Sequence, residues 1–242
     1  MLKNFDKNQN YYKFYKRKNT PIVFIHGVGL DQDMWFPQVR YFKNNSILTY
    51  DLLGHGKTPL NKKKVNFEDF SNQLNTLMKN LKINKIHLVG FSFGSLIALN
   101  FTKKFQKKVD KLVLISTVYK RTKLEKINVR ERYKKAKNNI PIFDLALKRW
   151  LNPKFIKLNP NIKKYILTTL NKKNIDHINF LKSYKLFSYF KDEQKEIKKI
   201  KTSALIMTGT KDRGSTIKMS QNLSNELINS QFYKIHNAKH LC

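Results

Sequence analysis

The sequence predicts a domain of the α/β class, with a mostly parallel β-sheet flanked by helices and a helical segment inserted into it. Short apolar runs alternate along the chain with amphipathic helical patterns, as is typical of parallel sheets. All eight glycines fall in four pairs, each close to the end of a predicted strand, where tight turns are needed. Residues 120–200 contain no glycine and many aromatic side chains. We therefore expect residues 1–119 and 201–242 to form the two parts of the α/β core, and residues 120–200 to form a helical cap.

The N-terminal part of the chain supplies the first strands. Residues 2–5 and 11–15 are short segments that we expect to pair as edge strands around a polar turn. Residues 22–25 form a continuous run of β-prone apolar side chains, and such runs are buried on both faces of a sheet. A helical pattern over residues 34–42 then leads to another strand over residues 46–50. This alternation marks the start of the parallel series.

The rest of the α/β core follows the same alternation of strand and helix. Apolar side chains at helical spacing, with acidic residues in the first turn, predict the next helix. The predicted elements are, in order, a helix over residues 67–81, a strand ending near residue 91, a helix to about residue 105, a strand over 112–115, a strand over 204–207, a helix over 217–228 and a last strand over 231–235.

One motif of high specificity lies between an apolar run and an apolar helical segment, Gly90-Phe91-Ser92-Phe93-Gly94. A Gly-x-Ser-x-Gly sequence between a strand and a helix is typical of the nucleophile elbow of serine hydrolases, in which the serine lies at a sharp turn. The glycines leave room for the backbone to fold, and the N–H of Phe93 is left at a helix N-terminus, where it can face an oxyanion. A chance match in a surface loop is the alternative, and the strand–turn–helix context argues against it.

A serine hydroxyl is a weak nucleophile until an imidazole takes its proton, and the imidazole needs a carboxylate to fix its tautomer. In this type of fold the expected order along the chain is serine, acid, histidine. Asp212 and His240 follow the last two predicted strands in that order, so we expect them to meet Ser92 at the carboxyl edge of the sheet. Residues 116–119 are the other place for the acid, but they contain no carboxylate. His236 is less suitable than His240 because it lies at the end of the last strand.

Two backbone N–H groups, those of Val28 and Phe93, are the candidates for the oxyanion hole. They belong to the turns that follow the strand over residues 22–25 and the elbow strand. His26 and His55 also stand in glycine-containing turns, and we expect them to brace those turns rather than to act as bases.

The chain is strongly basic, since 49 Lys and Arg residues against 16 Asp and Glu residues give a formal net charge of +33. Such a charge favours an acidic protein partner, an anionic surface or nucleic acid. The lysines are scattered in twos and threes, and Lys, Asn and Ile are abundant together, so codon bias in an A+T-rich gene is the simpler explanation. The sequence contains no nucleic-acid-binding motif and no periodic basic helix, so we expect no specific nucleic-acid binding.

The cysteine count and the hydropathy pattern indicate where in the cell the protein is expected and which cofactors it can bind. Cys242 is the only cysteine, so a disulfide framework and a cysteine metal site are excluded. The N-terminus has no apolar run resembling a signal peptide, and no segment approaches the ~18 apolar residues of a membrane span. We expect a cytoplasmic protein that requires no metal and no organic cofactor.

Five segments together resemble the α/β-hydrolase superfamily, over about residue 20 to the end of the sequence. They are His26-Gly27-Val28-Gly29, Asp51-x-x-Gly54-His55-Gly56, the elbow, Gly209-x-x-Asp212 and Ala238-Lys239-His240. The run that begins at His26 and ends at Trp35 is similar to that of the carboxylesterases that cleave pimeloyl-acyl-carrier-protein methyl ester in biotin synthesis. It also resembles that of the 3-oxoadipate enol-lactonases. The resemblance implies the α/β-hydrolase fold and serine hydrolase chemistry, but a shared fold does not choose the substrate.

The sequence departs from the family pattern in three places. Ser95 replaces a glycine that many relatives carry, and Thr58 replaces a serine, and both are minor changes. The sequence stops two residues after His240, where the family normally adds a C-terminal helix packed on the sheet. Without that helix, apolar surface near the last strands would be uncovered, so we expect either that the chain is truncated or that the His240 loop is poorly supported.

The leading hypothesis is a serine carboxylic-ester hydrolase that acts through an acyl-enzyme, with Trp35, Phe91 and Tyr119 lining an apolar acyl pocket. Its substrate would be a small acyl ester, or an acyl group carried by an acidic acyl carrier protein that the basic chain attracts. Within the same class, an enol-lactone, another lactone or a thioester is the alternative substrate. Outside this class, the alternatives are a non-catalytic basic binding module and a hydrolase scaffold that has lost its activity.

Overall fold

The computed structural model describes residues 2–138, 143–170, 177–192 and 194–242. Its described strands form one eight-stranded sheet flanked by helices, which confirms the predicted α/β class. The strands are β1 (Leu2–Phe5), β2 (Tyr11–Tyr15), β3 (Ile22–Ile25), β4 (Ile47–Tyr50), β5 (Ile86–Phe91), β6 (Val109–Ile115), β7 (Ser203–Gly209) and β8 (Ser230–Ile235).

The strand order across the sheet is β1-β2-β4-β3-β5-β6-β7-β8. β1 pairs antiparallel with β2, and β2 antiparallel with β4, as expected for an edge pair. The other pairings are parallel, so β3 to β8 end at the same edge of the sheet. Ser92, Ser116, Asp212 and His240 all follow strands at this carboxyl edge.

The helices connect the parallel strands. They are α1 (Phe36–Tyr41), α2 (Phe67–Asn80), α3 (Phe93–Lys104), α4 (Lys123–Lys137), α5 (Phe143–Trp150), α6 (Pro153–Leu158), α7 (Pro160–Leu170), α8 (His177–Ser188), α9 (Gln194–Ile197) and α10 (Ile217–Glu226). Short 3₁₀ helices occupy Gln32–Trp35 and Gln106–Lys108. The described part of the chain between β6 and β7 is mainly helical, and its treatment as a separate cap stays a prediction.

Helix α2 shows how local sequence positions the elbow. Its N-terminus is a capping box, in which the Asn66 side chain accepts the N–H of Asp69 and the Asp69 carboxylate accepts the N–H of Asn66. Phe70 and Leu74 are fully buried on one face, and each such side chain contributes roughly 1.5–3 kcal/mol of burial free energy before entropy is counted. The Phe70 ring packs edge-on against that of Phe93, 5.3 Å between centroids. The helix therefore supports the residue next to the elbow serine.

Two element boundaries differ from the sequence prediction. The helix predicted over residues 34–42 begins earlier, as the 3₁₀ turn Gln32–Trp35, because the Asp31 side chain caps that turn. Strand β6 begins at Val109, before the apolar run 112–115, because Val109 pairs with the first residue of β5. In both cases a single contact outside the apolar pattern sets the boundary.

Apolar side chains are exposed near the last strand. β8 forms one edge of the sheet, where Tyr233 is 58% exposed, and Ile228 just before the strand is 70% exposed. No helix in the described ranges is long and apolar enough to cross a membrane. In those same ranges, no three His, Cys, Asp or Glu side chains are grouped as a metal site would require.

Candidate active site

The turn between β5 and α3 is strained at Ser92. Its φ of 52° and ψ of −111° lie in a region that residues with a side chain rarely adopt. The Ser92 N–H donates to the carbonyl of Ile115 on β6 (2.8 Å), and the N–H of Ser95 donates to the carbonyl of Ser92 (3.0 Å). These bonds hold the serine at the carboxyl edge of the sheet, with its side chain on a cavity.

Two glycines make this turn sterically feasible. A Cβ atom on Gly90 would lie less than 3.0 Å from the carbonyl group of Gly94. A Cβ atom on Gly94 would lie as close to the carbonyl oxygens of Ile25 and His26. Real Cβ atoms essentially never come within this distance, so the elbow can pack against the loop after β3 only with glycine at both positions.

The structure brings Ser92, Asp212 and His240 into one row of hydrogen bonds. His240 Nε2 lies 3.0 Å from Ser92 Oγ, and His240 Nδ1 lies 2.7 Å from Asp212 Oδ2. When Asp212 is ionised, Nδ1 carries the proton and Nε2 is left to accept the proton of the serine hydroxyl. All three side chains are buried, whereas His236 is exposed beyond the end of β8. A row of this kind is the arrangement that makes a serine hydroxyl nucleophilic in serine hydrolases.

Asp212 is held ionised in spite of its burial. Burial is the largest single effect and raises the pKa of Asp212, while the charge and hydrogen bond of His240 lower it. The backbone N–H groups of Gly214 (2.7 Å) and Ser215 (3.0 Å) also donate to Asp212 Oδ1 and lower the pKa further. The net pKa lies below the usual value of an aspartate, so the carboxylate stays charged at neutral pH.

The loop that carries His240 is well supported, contrary to the expectation from the sequence. The carbonyl of His240 accepts a hydrogen bond from Ser116 Oγ (2.7 Å), and the N–H of Leu241 donates to the carbonyl of Trp150 (3.0 Å). The imidazole ring also packs against Phe91, 5.2 Å between centroids. Contacts from β6 and α5 therefore hold the histidine in place, and these long-range contacts have no signal in the local sequence.

The two candidate oxyanion donors belong to segments that adjoin the serine. Val28 lines the same cavity as Ser92. Phe93 is the first residue of α3, where backbone N–H groups have no partner within the helix. A Cβ atom on Gly27 would lie 3.5 Å from Ser92 Cβ, so the loop after β3 runs directly against the elbow. A hole built from two backbone donors needs this proximity.

The segment after β4 anchors the loop after β3. The Asp51 carboxylate accepts the N–H groups of Gln32 (2.9 Å) and Lys57 (2.8 Å), and burial raises the pKa of Asp51 to about 7. His26 Nε2 accepts the N–H of Leu52 (3.0 Å). Burial lowers the pKa of His26 to about 4, so its ring is neutral at pH 7. His26 braces its turn, as expected, and Asp51 has a structural role that the sequence analysis did not assign.

A cavity opens above Ser92 and His240, and we name it the serine cavity. Its volume is about 60 Å³, and it is open to solvent. Three arginines, Arg121, Arg132 and Arg149, lie on its wall. The sequence analysis did not single them out, because a chain with 49 basic residues hides any local group of them.

A second cavity, of about 340 Å³, has a lining of mainly apolar side chains, and we name it the apolar cavity. Trp35 and Phe91 line it, and Phe91 lines the serine cavity as well. Phe91 therefore lies between the two spaces. Tyr119 is not among the described residues that line either cavity, and its side chain is buried in the core. Two of the three aromatic residues expected at an acyl pocket are thus next to a cavity.

Comparison with known proteins identifies the family. The profile of the alpha/beta hydrolase fold family matches residues 20–242. The chain therefore belongs to the α/β-hydrolase fold family, which confirms the resemblance in its motifs. Family members carry out many reactions, so membership gives the class of chemistry and leaves the substrate open.

Two relatives from Acinetobacter baylyi are similar over almost the whole chain. One is named (E)-2-((N-methylformamido)methylene)succinate hydrolase, which is 25% identical over 97% of this chain and 88% of the relative. The other is 3-oxoadipate enol-lactonase 2, which is 21% identical over 96% of this chain and 86% of the relative. Both are hydrolytic enzymes by name.

Solved structures agree on the fold. The enol-lactonase from Burkholderia xenovorans LB400 superposes with a TM-score of 0.84 at 22% identity, over 97% of this chain and 91% of that chain. A thermophilic esterase from Thermogutta terrifontis superposes with a TM-score of 0.82 at 21% identity, over 99% of this chain and 89% of that chain. At these identities the structures show the shared fold alone.

Proposed function

We propose that this protein is a serine hydrolase that cleaves carboxylic esters, with Ser92 as nucleophile, His240 as general base and Asp212 as the acid that orients the histidine. One observation carries the proposal: the unbroken row of hydrogen bonds from Asp212 Oδ2 through His240 to Ser92 Oγ, at 2.7 and 3.0 Å. The serine of this row lies on a strained elbow that lines an open cavity, where an ester can reach it.

In the first step, Ser92 Oγ forms a bond to the ester carbonyl carbon while its proton moves to His240 Nε2. The carbonyl electrons move onto the carbonyl oxygen, which the N–H groups of Val28 and Phe93 stabilise. Each such donor typically contributes about 3 kcal/mol to the transition state. The bond from carbon to the alkoxy oxygen then breaks, and the leaving alcohol takes the proton from His240.

In the second step, water attacks the acyl group on Ser92 while His240 Nε2 takes its proton. The oxyanion forms again in the same hole. When the intermediate collapses, the bond from carbon to Ser92 Oγ breaks and His240 returns the proton to the serine. The products are a carboxylic acid and an alcohol, and the enzyme is restored without any oxidation or reduction.

The Ser92→Ala variant tests this mechanism. We expect its kcat for 4-nitrophenyl butyrate to fall by at least about 10⁴-fold, and labelling by a fluorophosphonate probe to be lost. Ser220→Ala is the matched control, because Ser220 is equally buried on α10 and its hydroxyl has no hydrogen-bond partner in the described structure. It should stay within about twofold of the wild type. A Ser92→Ala protein that kept the wild-type rate would exclude the mechanism.

The acyl group is proposed to extend into the apolar cavity, along Trp35 and Phe91. Two substrate types fit this proposal: a carrier-protein-linked methyl ester, as in biotin synthesis, and a lactone or thioester. The names of the two bacterial relatives favour small molecules. A panel of 4-nitrophenyl esters, lactones and a methyl ester on an acidic carrier protein separates these types. If kcat/KM is higher for the carrier-linked methyl ester than for the free methyl ester, and the difference falls with added salt, the carrier protein is supported as substrate. Equal kcat/KM values for the two methyl esters exclude the carrier protein.

A further inference from the structure

Three guanidinium groups share the wall of the serine cavity, and they come from separate segments of the chain. Arg121 precedes α4, Arg132 lies within α4, and Arg149 lies within α5. Folding brings them to the cavity that also holds Ser92 and His240. The cluster is therefore a product of the tertiary structure and not a run of charge along one helix.

The basic composition of the chain does not explain this cluster. Arginine occupies only seven of the 49 Lys and Arg positions in the sequence, yet the described cavity wall contains three arginines and no lysine. If Lys and Arg residues of this chain lined the cavity at random, most of them would be lysines. Guanidinium groups differ from ammonium groups in presenting a planar fork of donors that matches a carboxylate.

Arg121 is buried and Arg149 is half-buried, and neither has a full set of partners. Arg121 is 6% exposed, its Nη1 donates to the carbonyl of Phe187 (2.8 Å), and its guanidinium lies over the Phe187 ring. The Arg149 side chain makes no hydrogen bond or ion pair with any residue in the described ranges. Buried cations normally have a carboxylate partner. Within the described residues, no carboxylate forms an ion pair with either arginine.

Asp192 and Glu125 attract Arg121, but neither carboxylate forms an ion pair with an arginine of the cluster in the described structure. Burial and the neighbouring charge of Arg132 lower the pKa of Arg121 to about 10 and also lower that of Arg149, but both stay protonated at pH 7. Asp212 attracts Arg149, yet its carboxylate is already hydrogen-bonded to His240. The cavity thus concentrates positive charge beside the nucleophile.

We propose that Arg121, Arg132 and Arg149 bind a free carboxylate of the substrate, so that the natural substrate is an ester or lactone with a second, ionised carboxyl group. This inference rests on the proposed function, because the reacting carbonyl is placed at Ser92. The carboxylate supplies the anion that the cluster lacks and fixes the position of the substrate in the cavity.

The experiment compares 4-nitrophenyl butyrate with the mono-4-nitrophenyl esters of succinate, glutarate and adipate. We expect the wild type to prefer the best of the anionic esters by at least about tenfold in kcat/KM. In Arg149→Gln the ratio of anionic to neutral kcat/KM should fall by about 10- to 100-fold. Arg40→Gln removes the same charge from an exposed site on α1 and should leave the ratio unchanged. If Arg149→Gln does not fold, as judged by circular dichroism, Arg132→Gln on the half-exposed face of α4 replaces it.

Calorimetric binding of glutarate, measured with and without 0.5 M salt, separates this inference from the proposed function. If glutarate binds to the wild type and not to Arg149→Gln, the carboxylate site is supported. This result stands even if the Ser92→Ala protein still hydrolyses esters, an outcome that would refute the proposed mechanism alone. Conversely, hydrolysis that depends on Ser92, with no preference for anionic esters and no glutarate binding, overturns the carboxylate site alone. A ratio that falls equally in Arg40→Gln would also overturn it, because a general charge effect would then be enough.

Discussion

The Asp212→Asn variant tests how the proposed triad controls the tautomer of His240. In the wild type, Asp212 Oδ1 accepts the N–H groups of Gly214 and Ser215, and Oδ2 faces His240 Nδ1 at 2.7 Å. An amide has one oxygen that accepts and one NH₂ group that only donates. The two backbone N–H groups therefore select the oxygen of the new amide and turn its NH₂ group towards His240.

The wrong tautomer follows from this orientation. Facing an NH₂ donor, His240 accepts at Nδ1 and keeps its proton at Nε2, where it cannot take the proton of Ser92 Oγ. The equivalent change in serine protease triads lowers kcat about 10⁴-fold. Four factors of ten, at about 1.36 kcal/mol each, correspond to about 5.5 kcal/mol of lost transition-state stabilisation. We expect a loss of this size here because Asp212 is buried and its orientation is set by the two backbone donors.

The assay is kcat for 4-nitrophenyl butyrate together with the rate of fluorophosphonate labelling, which should fall in parallel. ¹⁵N chemical shifts of the His240 ring report the tautomer directly. Asp110→Asn is the control, because Asp110 is an acid at the surface of β6 that pairs with Lys85, and it should stay within about twofold of the wild type. A folded Asp212→Asn protein with kcat within about tenfold of the wild type would refute the tautomer argument.

Three more predictions concern the elements around the site. Gly94→Ala should lower the free energy of unfolding by about 2–4 kcal/mol, because its Cβ would lie less than 3.0 Å from a backbone carbonyl oxygen. Gly214→Ala, with the nearest atom at 3.5 Å, should lose less than about 1 kcal/mol; equal losses in urea denaturation would contradict the steric argument. Burial lowers the pKa of His55 from 6.5 to about 3, so below pH 6.5 the unfolded chain binds a proton that the folded chain does not, and stability falls as the pH falls. His55→Phe should therefore reduce the stability lost between pH 7.5 and 5 by about 2 kcal/mol, and an unchanged pH slope in urea titrations would refute this. Ser116→Ala removes the hydrogen bond to the carbonyl of His240 (2.7 Å), so we expect steady-state kinetics to show kcat about fivefold lower and KM nearly constant. A change in KM alone would show that Ser116 does not position the histidine.

The fold could be predicted from local patterns because each parallel strand is buried on both faces and therefore reads as a short apolar run. Residues 22–25 and the elbow strand are of this kind, and both appear in the sheet as β3 and β5. The start of β6 at Val109 could not be predicted, since it depends on pairing with a strand more than twenty residues earlier. Sequence pattern thus locates the centre of an element, and its neighbours decide where it ends.

The candidate site was predictable to the extent that its residues follow strands. Ser92, Asp212 and His240 come after three parallel strands, and parallel strands deliver their carboxyl ends to one edge. The aromatic residues were less predictable, because an apolar ring has the same pattern whether it faces a core or a cavity. Phe91 lines both cavities, whereas Tyr119 is part of the core. Only packing distinguishes the two outcomes.

The arginine cluster has a consequence for the chemistry as well as for binding. In the proposed first step His240 becomes an imidazolium while the carbonyl oxygen becomes an oxyanion, so charge is separated but the net charge of the cavity that holds Arg121, Arg132 and Arg149 does not change. Asp212 stabilises the imidazolium through its hydrogen bond to the ring. A substrate carboxylate on the arginines reduces their repulsion of this ring and holds the ester carbonyl beside the nucleophile while the new bond forms. With a neutral ester that repulsion stays in place. Selectivity for anionic esters should therefore arise in the chemical step as well as in binding, which is how an enzyme uses remote substrate contacts to lower a barrier.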